Sequence, residues 1–128
     1  MQNGDWDRQK AYDIAQTLLQ QYPDLAGIYC NNDTMALGVI DSCKKNGISG
    51  VPVLGIDATA DGCAAIQAGD MAFTVYQSGS GQGEAAVKAA IALGSGGTTQ
   101  GMEGLSDDGL YVWVPFEKVD SSNVADYQ

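Results

Sequence analysis

Apolar residues are spaced along this chain in two alternating ways. In some segments they fall three and four positions apart, as on one face of a helix, and between these segments they form short continuous runs typical of buried strands. The predicted order is a helix over 7–22, a strand over 25–30, a helix that Asp33 caps and Asn46-Gly47 closes, a strand over 51–56, a helix over 59–68, a strand over 72–76, an alanine-rich helix over 84–93, a loop over 94–108 and a strand over 110–116. This alternation predicts an α/β fold, a parallel sheet flanked by helices.

Polar residues follow three of the predicted strands at the point where each strand ends. Asn31-Asn32-Asp33 follow the first strand, Asp57 follows the second and Gln77 follows the third. Ligands of parallel α/β sheets bind beyond the carboxyl ends of the strands, and amide and carboxylate groups make the paired hydrogen bonds that sugar hydroxyls need. Trp6, just before the first helix, adds an aromatic face for the apolar side of a sugar ring. Together these residues predict a pocket for a polyol.

Each of these residues also has a structural interpretation. Asn and Asp after a strand often cap the following helix, and capping explains Asp33 better than ligand binding does. Spacing alone leaves both roles open for Asn32, Asp57 and Gln77. Trp6, taken by itself, is more often a packing residue than a ligand contact.

Charge and composition exclude several other classes of function. The sequence has 16 acidic and six basic residues, a net charge of -10 with no basic cluster, so binding of nucleic acid is not expected. It has no histidine, which excludes a Ser-His-Asp or Cys-His catalytic arrangement within the chain. Cys30, Cys43 and Cys63 form no CxxC pair, so we expect neither a disulfide framework nor a metal site. The first residues lack the apolar core of a signal peptide.

A glycine-rich segment, 79–84, lies between a predicted strand and a predicted helix, where a dinucleotide-binding loop would be. The third glycine of the phosphate-binding fingerprint is replaced by Glu84, whose charge would face the pyrophosphate. We therefore expect no nucleotide, predict no other cofactor, and interpret this segment as flexible chain before a helix.

Four stretches of the sequence resemble the type I periplasmic sugar-binding proteins of ABC importers, in particular the galactose/glucose-binding and ribose-binding branch. They are GDWDRQKAYDIAQTLLQQYPDLAGIYCNNDTMALGVIDSCKKNG, VPVLGIDATADGCAAIQAGDMAFTVYQ, the alanine-rich helix and YVWVPFEKVDSSNVADY. NNDTMALG followed by GIDA and then by GDMAFTV is specific in combination. The resemblance implies a partial periplasmic-binding-protein-like type I fold, mostly the C-terminal lobe.

The resemblance also implies roles for single residues. Trp6 would stack on the sugar ring, Asn32 and Asp57 would hydrogen-bond ring hydroxyls, and Gln77 would make a polar contact next to the hinge. It divides the chain into a sugar-binding segment over 1–77, a hinge crossing, helix and loop over 78–108 that belong to the N-terminal lobe, and a returning strand and tail over 109–128.

The implied function is to bind a monosaccharide, galactose/glucose or ribose-like, in a cleft that closes about a hinge, and then to dock on the membrane subunits of an ABC permease. No catalysis is implied, and the parent protein would be extracytoplasmic, in the periplasm or lipid-anchored at the cell surface. Because family members are about twice as long, we expect this chain alone to bind sugar weakly and to form a homodimer through exposed sheet edges. Alternatives are the effector-binding domain of a LacI-type transcription regulator, a sugar-sensing ectodomain and a nucleotide-binding enzyme.

Overall fold

The computed structural model describes residues 1–127, in which helices and strands alternate along the chain. The elements are α1 (Arg8–Gln21), β1 (Ile28–Tyr29), α2 (Asp33–Lys45), β2 (Val53–Leu54), α3 (Ala60–Gln67), β3 (Phe73–Gln77), α4 (Gly79–Gly94), β4 (Phe116–Asp120) and a short 3-10 helix (Val124–Tyr127). The sheet has the order β1-β2-β3-β4. β1 and β3 both pair parallel to β2, with Ile28 opposite Val53 and Leu54 opposite Phe73. The predicted α/β fold is confirmed.

The chain forms two compact units. The first comprises Met1–Tyr76 and the segment that begins at Glu117, and the second comprises Gln77–Phe116. The hydrophobic core lies in the first unit and is built from Ala15, Leu19, Cys30, Ala36, Val39, Ile40, Cys43, Val53, Cys63, Ala65, Ile66, Met71, Val119 and Val124. Helix α4 lies in the second unit, and none of its residues is buried. Within residues 1–127, no helix has the length and apolar character needed to cross a membrane.

The prediction that Asp33 caps α2 is wrong, because the cap is the preceding residue. The Asn32 side-chain oxygen accepts a hydrogen bond from the backbone N–H of Met35 at 2.9 Å, which satisfies a donor at the helix start. Asp33 is thus the first residue of the helix, and its side chain is fully buried. The predicted end of α2 is correct, since Gly47 follows the last turn with a φ of 66°.

Helix α4 begins at Gly79, several residues before the predicted start at Glu84. The Ser78 hydroxyl accepts a hydrogen bond from the backbone N–H of Gly81 at 3.0 Å and caps the helix. The glycine-rich segment is therefore helical, and its interpretation as flexible chain is wrong. The cap stabilises a first turn that glycine alone would disfavour.

The strand predicted over 110–116 is also wrong, because the strand in this region begins at Phe116. Pro115 directly before it has no backbone N–H to donate to a neighbouring strand. Between the end of α4 and Pro115, the only strand pairing in the described residues is an isolated antiparallel bridge between Leu105 and Val112.

Candidate functional site

The carboxyl ends of β1 and β2 lie side by side in the first unit. The backbone N–H of Asp33 donates to the carbonyl oxygen of Ile56 at 2.8 Å, which joins the segments that follow the two strands. Asn32 precedes the donor and Asp57 follows the acceptor. Two of the predicted site residues therefore flank one hydrogen bond at the same edge of the sheet. Asn32 is half-buried and Asp57 is exposed.

Asp57 and Ala58 have an unusual backbone conformation. Their φ angles are 112° and 51°, a region that favours glycine and that costs other residues about 1–3 kcal/mol each. Such a conformation persists only where neighbouring groups hold it. The N–H of Asp57 donates to the Val75 carbonyl at 2.9 Å, and the N–H of Ala58 donates to Thr74 Oγ1 at 3.2 Å. Bonds to β3 therefore hold the segment that carries Asp57.

The carboxylate of Asp33 is 0% exposed and accepts three hydrogen bonds. The N–H and the hydroxyl of Thr59 donate to Oδ2 at 2.8 and 3.1 Å, and the hydroxyl of Thr74 donates to Oδ1 at 2.6 Å. These bonds offset the cost of burying a charge. Sequence reasoning missed this network, and no spacing signal could have shown it, because the partners lie 26 and 41 positions away.

Two glycines make room for this carboxylate. A Cβ atom added at Gly55 would lie 2.2 Å from Asp33 Oδ1, and one added at Gly62 would lie 2.3 Å from Oδ2. Both distances are far shorter than an ordinary contact between non-bonded atoms. A side chain at either position would have to displace the carboxylate from its partners.

Trp6 lies in the turn before α1, with a φ of 62° and a 63% exposed side chain. Its neighbour Asp5 pairs with the Lys10 ammonium, and this hydrogen bond lowers the pKa of the Asp5 carboxyl. The turn packs against α2, since a Cβ at Gly4 would meet Met35 Sδ at 2.6 Å. Trp6 therefore follows a segment that contacts the first turn of α2.

An open groove of about 980 Å³ adjoins Trp6 in the first unit. Its walls come from the N-terminal segment 1–6 and from apolar side chains of α1, β1 and α2, and they include Tyr29 and Asn31. Asn32 and Asp57 do not line it. β1 is the edge strand of the sheet, and Tyr29 on it is 60% exposed. The groove thus lies along an unpaired sheet edge.

Gln77 is the last residue of β3 and the first residue of the second unit, and it is half-buried. The structure thus brings Asn32 and Asp57 to neighbouring strand ends and Trp6 to a turn near α2, while Gln77 belongs to the other unit.

The cysteines Cys30, Cys43 and Cys63 are buried and free. Burial raises the pKa of the Cys30 thiol to about 11, so this thiol is protonated at neutral pH. Across residues 1–127, no group of three or more His, Cys, Asp and Glu side chains is arranged to hold a metal ion.

A sequence profile described as "Periplasmic binding protein domain" matches residues 1–98. The putative rhizopine-binding protein of Rhizobium meliloti is 33% identical over 129 residues, an alignment that covers 99% of this chain and 39% of that protein. The D-allose-binding periplasmic protein of Escherichia coli K12 is 44% identical over 77 residues, which cover 59% of this chain and 25% of that protein.

A solved structure extends the likeness to the fold. An ABC transporter solute binding protein from Bacillus halodurans C-125 with bound myo-inositol aligns with a TM-score of 0.76 at 31% identity, over 95% of this chain and 39% of that one. The chain thus spans 39% of the length of two relatives that it matches over nearly all of its own residues.

Proposed function

Because the chain belongs to the periplasmic binding protein domain family, we propose that it forms one side of the ligand cleft of a sugar-binding protein and that the ligand is a monosaccharide or a cyclic polyol. The observation that carries this proposal is the position of Asn32 and Asp57 on either side of the Asp33–Ile56 hydrogen bond, beyond the carboxyl ends of two parallel strands. The relatives named for rhizopine and D-allose, and the one with bound myo-inositol, support this class of ligand.

The role that we propose for each side chain follows from the hydrogen bonds or ring contacts that it can make with the ligand. Asp57 accepts hydrogen bonds from two ligand hydroxyls. The side-chain oxygen of Asn32 already accepts from Met35, so its Nδ2 is the atom that we propose donates to the ligand. Trp6 stacks on the C–H face of the ring, and Gln77 adds a polar contact, as the family resemblance implies.

In the whole protein, closure of two lobes about a hinge traps the ligand, and the closed form delivers it to the membrane subunits of an ABC permease. The whole protein acts outside the cytoplasm. No chemical step is proposed, because the sequence lacks the histidine of common catalytic arrangements and the relatives are binding proteins. Galactose, glucose and ribose are ligands to test beside myo-inositol and D-allose. The 128-residue chain binds them weakly, since it spans 39% of a relative's length.

The experiment is an NMR titration of the chain with each of these polyols, because NMR detects millimolar binding. Asp57→Ala removes the charged group to which the ligand hydroxyls donate. Hydrogen bonds to a charged group contribute about 1.5–3 kcal/mol, so we expect the affinity for the polyol to fall about 10-fold to 150-fold. Asn32→Asp keeps the capping oxygen but removes the amide donor, and it weakens binding with little loss of stability. Asp24→Ala changes an exposed aspartate between α1 and β1 and is the matched control.

Two results would contradict the proposal. One is that none of these polyols shifts the resonances of Trp6, Asn32 or Asp57. The other is that Asp57→Ala binds as tightly as Asp24→Ala does. A single preferred polyol in the titration would name the ligand class.

We also propose that the 128-residue chain forms a homodimer. β1 leaves an unpaired edge in the first unit, and exposed edges pair with other strands. In the second unit, α4 exposes Val87, Ile91 and Leu93. Apolar surface of this kind favours association between copies.

A further inference from the structure

We propose that Asp33 is the positioning residue of the polyol site: its buried carboxylate holds the backbone of residues 56–59 in the conformation that presents Asp57 to the ligand. This inference rests on the proposed role of Asp57 in polyol binding. It adds a residue that does not touch the ligand and whose role is not helix capping, because Asn32 is the cap of α2.

In each of the four residues 56–59, a backbone N–H or C=O group is held by a hydrogen bond. The carbonyl of Ile56 accepts from the Asp33 backbone at 2.8 Å, and the N–H of Asp57 donates to Val75 at 2.9 Å. The N–H of Thr59 donates to the Asp33 carboxylate at 2.8 Å. Asp33 thus supplies the anchor on each side of Asp57, one from its main chain and one from its side chain.

The remaining anchor depends on Asp33 indirectly. Ala58 donates its N–H to Thr74 Oγ1 at 3.2 Å, and the same hydroxyl donates its proton to Asp33 Oδ1 at 2.6 Å. Because the carboxylate only accepts, it fixes the Thr74 proton and leaves the lone pairs of that oxygen for Ala58. An amide at position 33 would turn its NH2 group either to the Thr74 hydroxyl, which would then have to accept, or to the backbone N–H of Thr59, which would lose its acceptor.

The strained conformation explains why such support is needed. The φ angles of 112° at Asp57 and 51° at Ala58 are rarely populated by residues with side chains, so a segment without its anchors would relax. Relaxation would move the Asp57 side chain away from the ligand. The first turn of α2 and the N-terminus of α3, which Thr59 caps, also favour a negative charge at this point.

The test compares Asp33→Asn with Ile40→Ala, a core substitution in the same helix whose side chain is buried elsewhere. In hydrogen-exchange measurements, we expect Asp33→Asn to reduce protection of the Ala58 and Thr59 amides about 10-fold beyond its effect on the rest of the core. Ile40→Ala lowers protection of these amides only as much as it lowers global stability. Equal protection of both amides in the two variants would overturn the proposal.

A second measurement separates positioning from general destabilisation. At a temperature where all variants are folded, we expect Asp33→Asn to lower polyol affinity about 10-fold to 100-fold, by analogy with the loss of metal affinity when a group that orients a metal-binding residue is removed. Asp57→Ala then costs little more in the Asp33→Asn background, whereas its cost is unchanged in the Ile40→Ala background. Independent effects of Asp33→Asn and Asp57→Ala would overturn the proposal.

The two proposals fail in different ways. If the wild-type chain binds none of the polyols, the proposed function is contradicted and hydrogen exchange alone decides whether Asp33 holds the segment. If the wild-type chain binds and Asp33→Asn binds equally well, the polyol site stands and Asp33 has no positioning role.

Discussion

Gly38 is a point of close approach between α1 and α2, and replacing it with alanine tests how tightly the two helices pack. A Cβ at this position would lie 2.1 Å from the carbonyl oxygen of Arg8 and 3.2 Å from the backbone nitrogen of Tyr12. The obstacle is backbone, so no rotamer change can relieve it. The Cβ atom and the Arg8 oxygen would have to separate by about 1.3 Å to reach 3.4 Å, an ordinary contact distance.

The expected cost follows from two opposing terms. Overpacking of this kind costs about 1–3 kcal/mol, and an obstacle made of backbone favours the upper end. Alanine in a helix interior recovers about 1 kcal/mol relative to glycine. The net loss is therefore about 2 kcal/mol, which lowers the melting temperature by about 8 °C for a chain of this size. Because α1 follows the Trp6 turn and α2 follows Asn32, Gly38→Ala also weakens polyol binding.

The assay is thermal unfolding followed by circular dichroism, with Gly83→Ala as the control. Gly83 also lies inside a helix, but a Cβ there would have no neighbour within 4 Å. The control gains the same helical propensity without the clash, so its melting temperature is equal to or above that of the wild type. If Gly38→Ala has the same melting temperature as Gly83→Ala, then α1 and α2 are not packed as described.

Two further measurements test other parts of the molecule. The carboxylate of Asp120 accepts hydrogen bonds from Lys118 and Ser122, which hold its pKa well below the ordinary 3.8. The ionised carboxylate therefore stabilises the fold above about pH 4, and this stabilisation is lost as the pH falls towards the lowered pKa. Asp120→Asn should be less stable than the wild type at pH 7. In a series of acid denaturation measurements below pH 4, the difference in stability between the two proteins should become smaller. Light scattering of the chain should give the mass of a dimer, and a monomer at high protein concentration would contradict the proposed self-association.

Apolar spacing was sufficient to predict the order of α1, α2 and α3 and the strands between them, because one face of each of these helices packs into a single core. The strand-end positions of Asn32 and Asp57 followed from the same order. The Asp33 network could not be predicted, since its hydrogen bonds join residues far apart in sequence and depend on where three elements meet.

Two errors have local causes. Ser78 is a good cap placed directly before glycines, and the cap outweighed the low helical propensity that suggested flexible chain over 79–83. The run over 110–116 is apolar but carries exposed Leu110, Tyr111 and Trp113. Apolar character indicates burial only where other elements cover the segment, and proline limits the strand to the residues that follow it.

The two glycines around the Asp33 carboxylate restrict the order in which this region can change during evolution. With Asp33 present, a side chain at Gly55 or Gly62 collides with a carboxylate oxygen. A lineage that first replaced the aspartate with a smaller residue would free both glycines to vary, but it would lose the anchor of residues 56–59. Positions 33, 55 and 62 should therefore be inherited as one unit, and a designed variant should keep or exchange all three together.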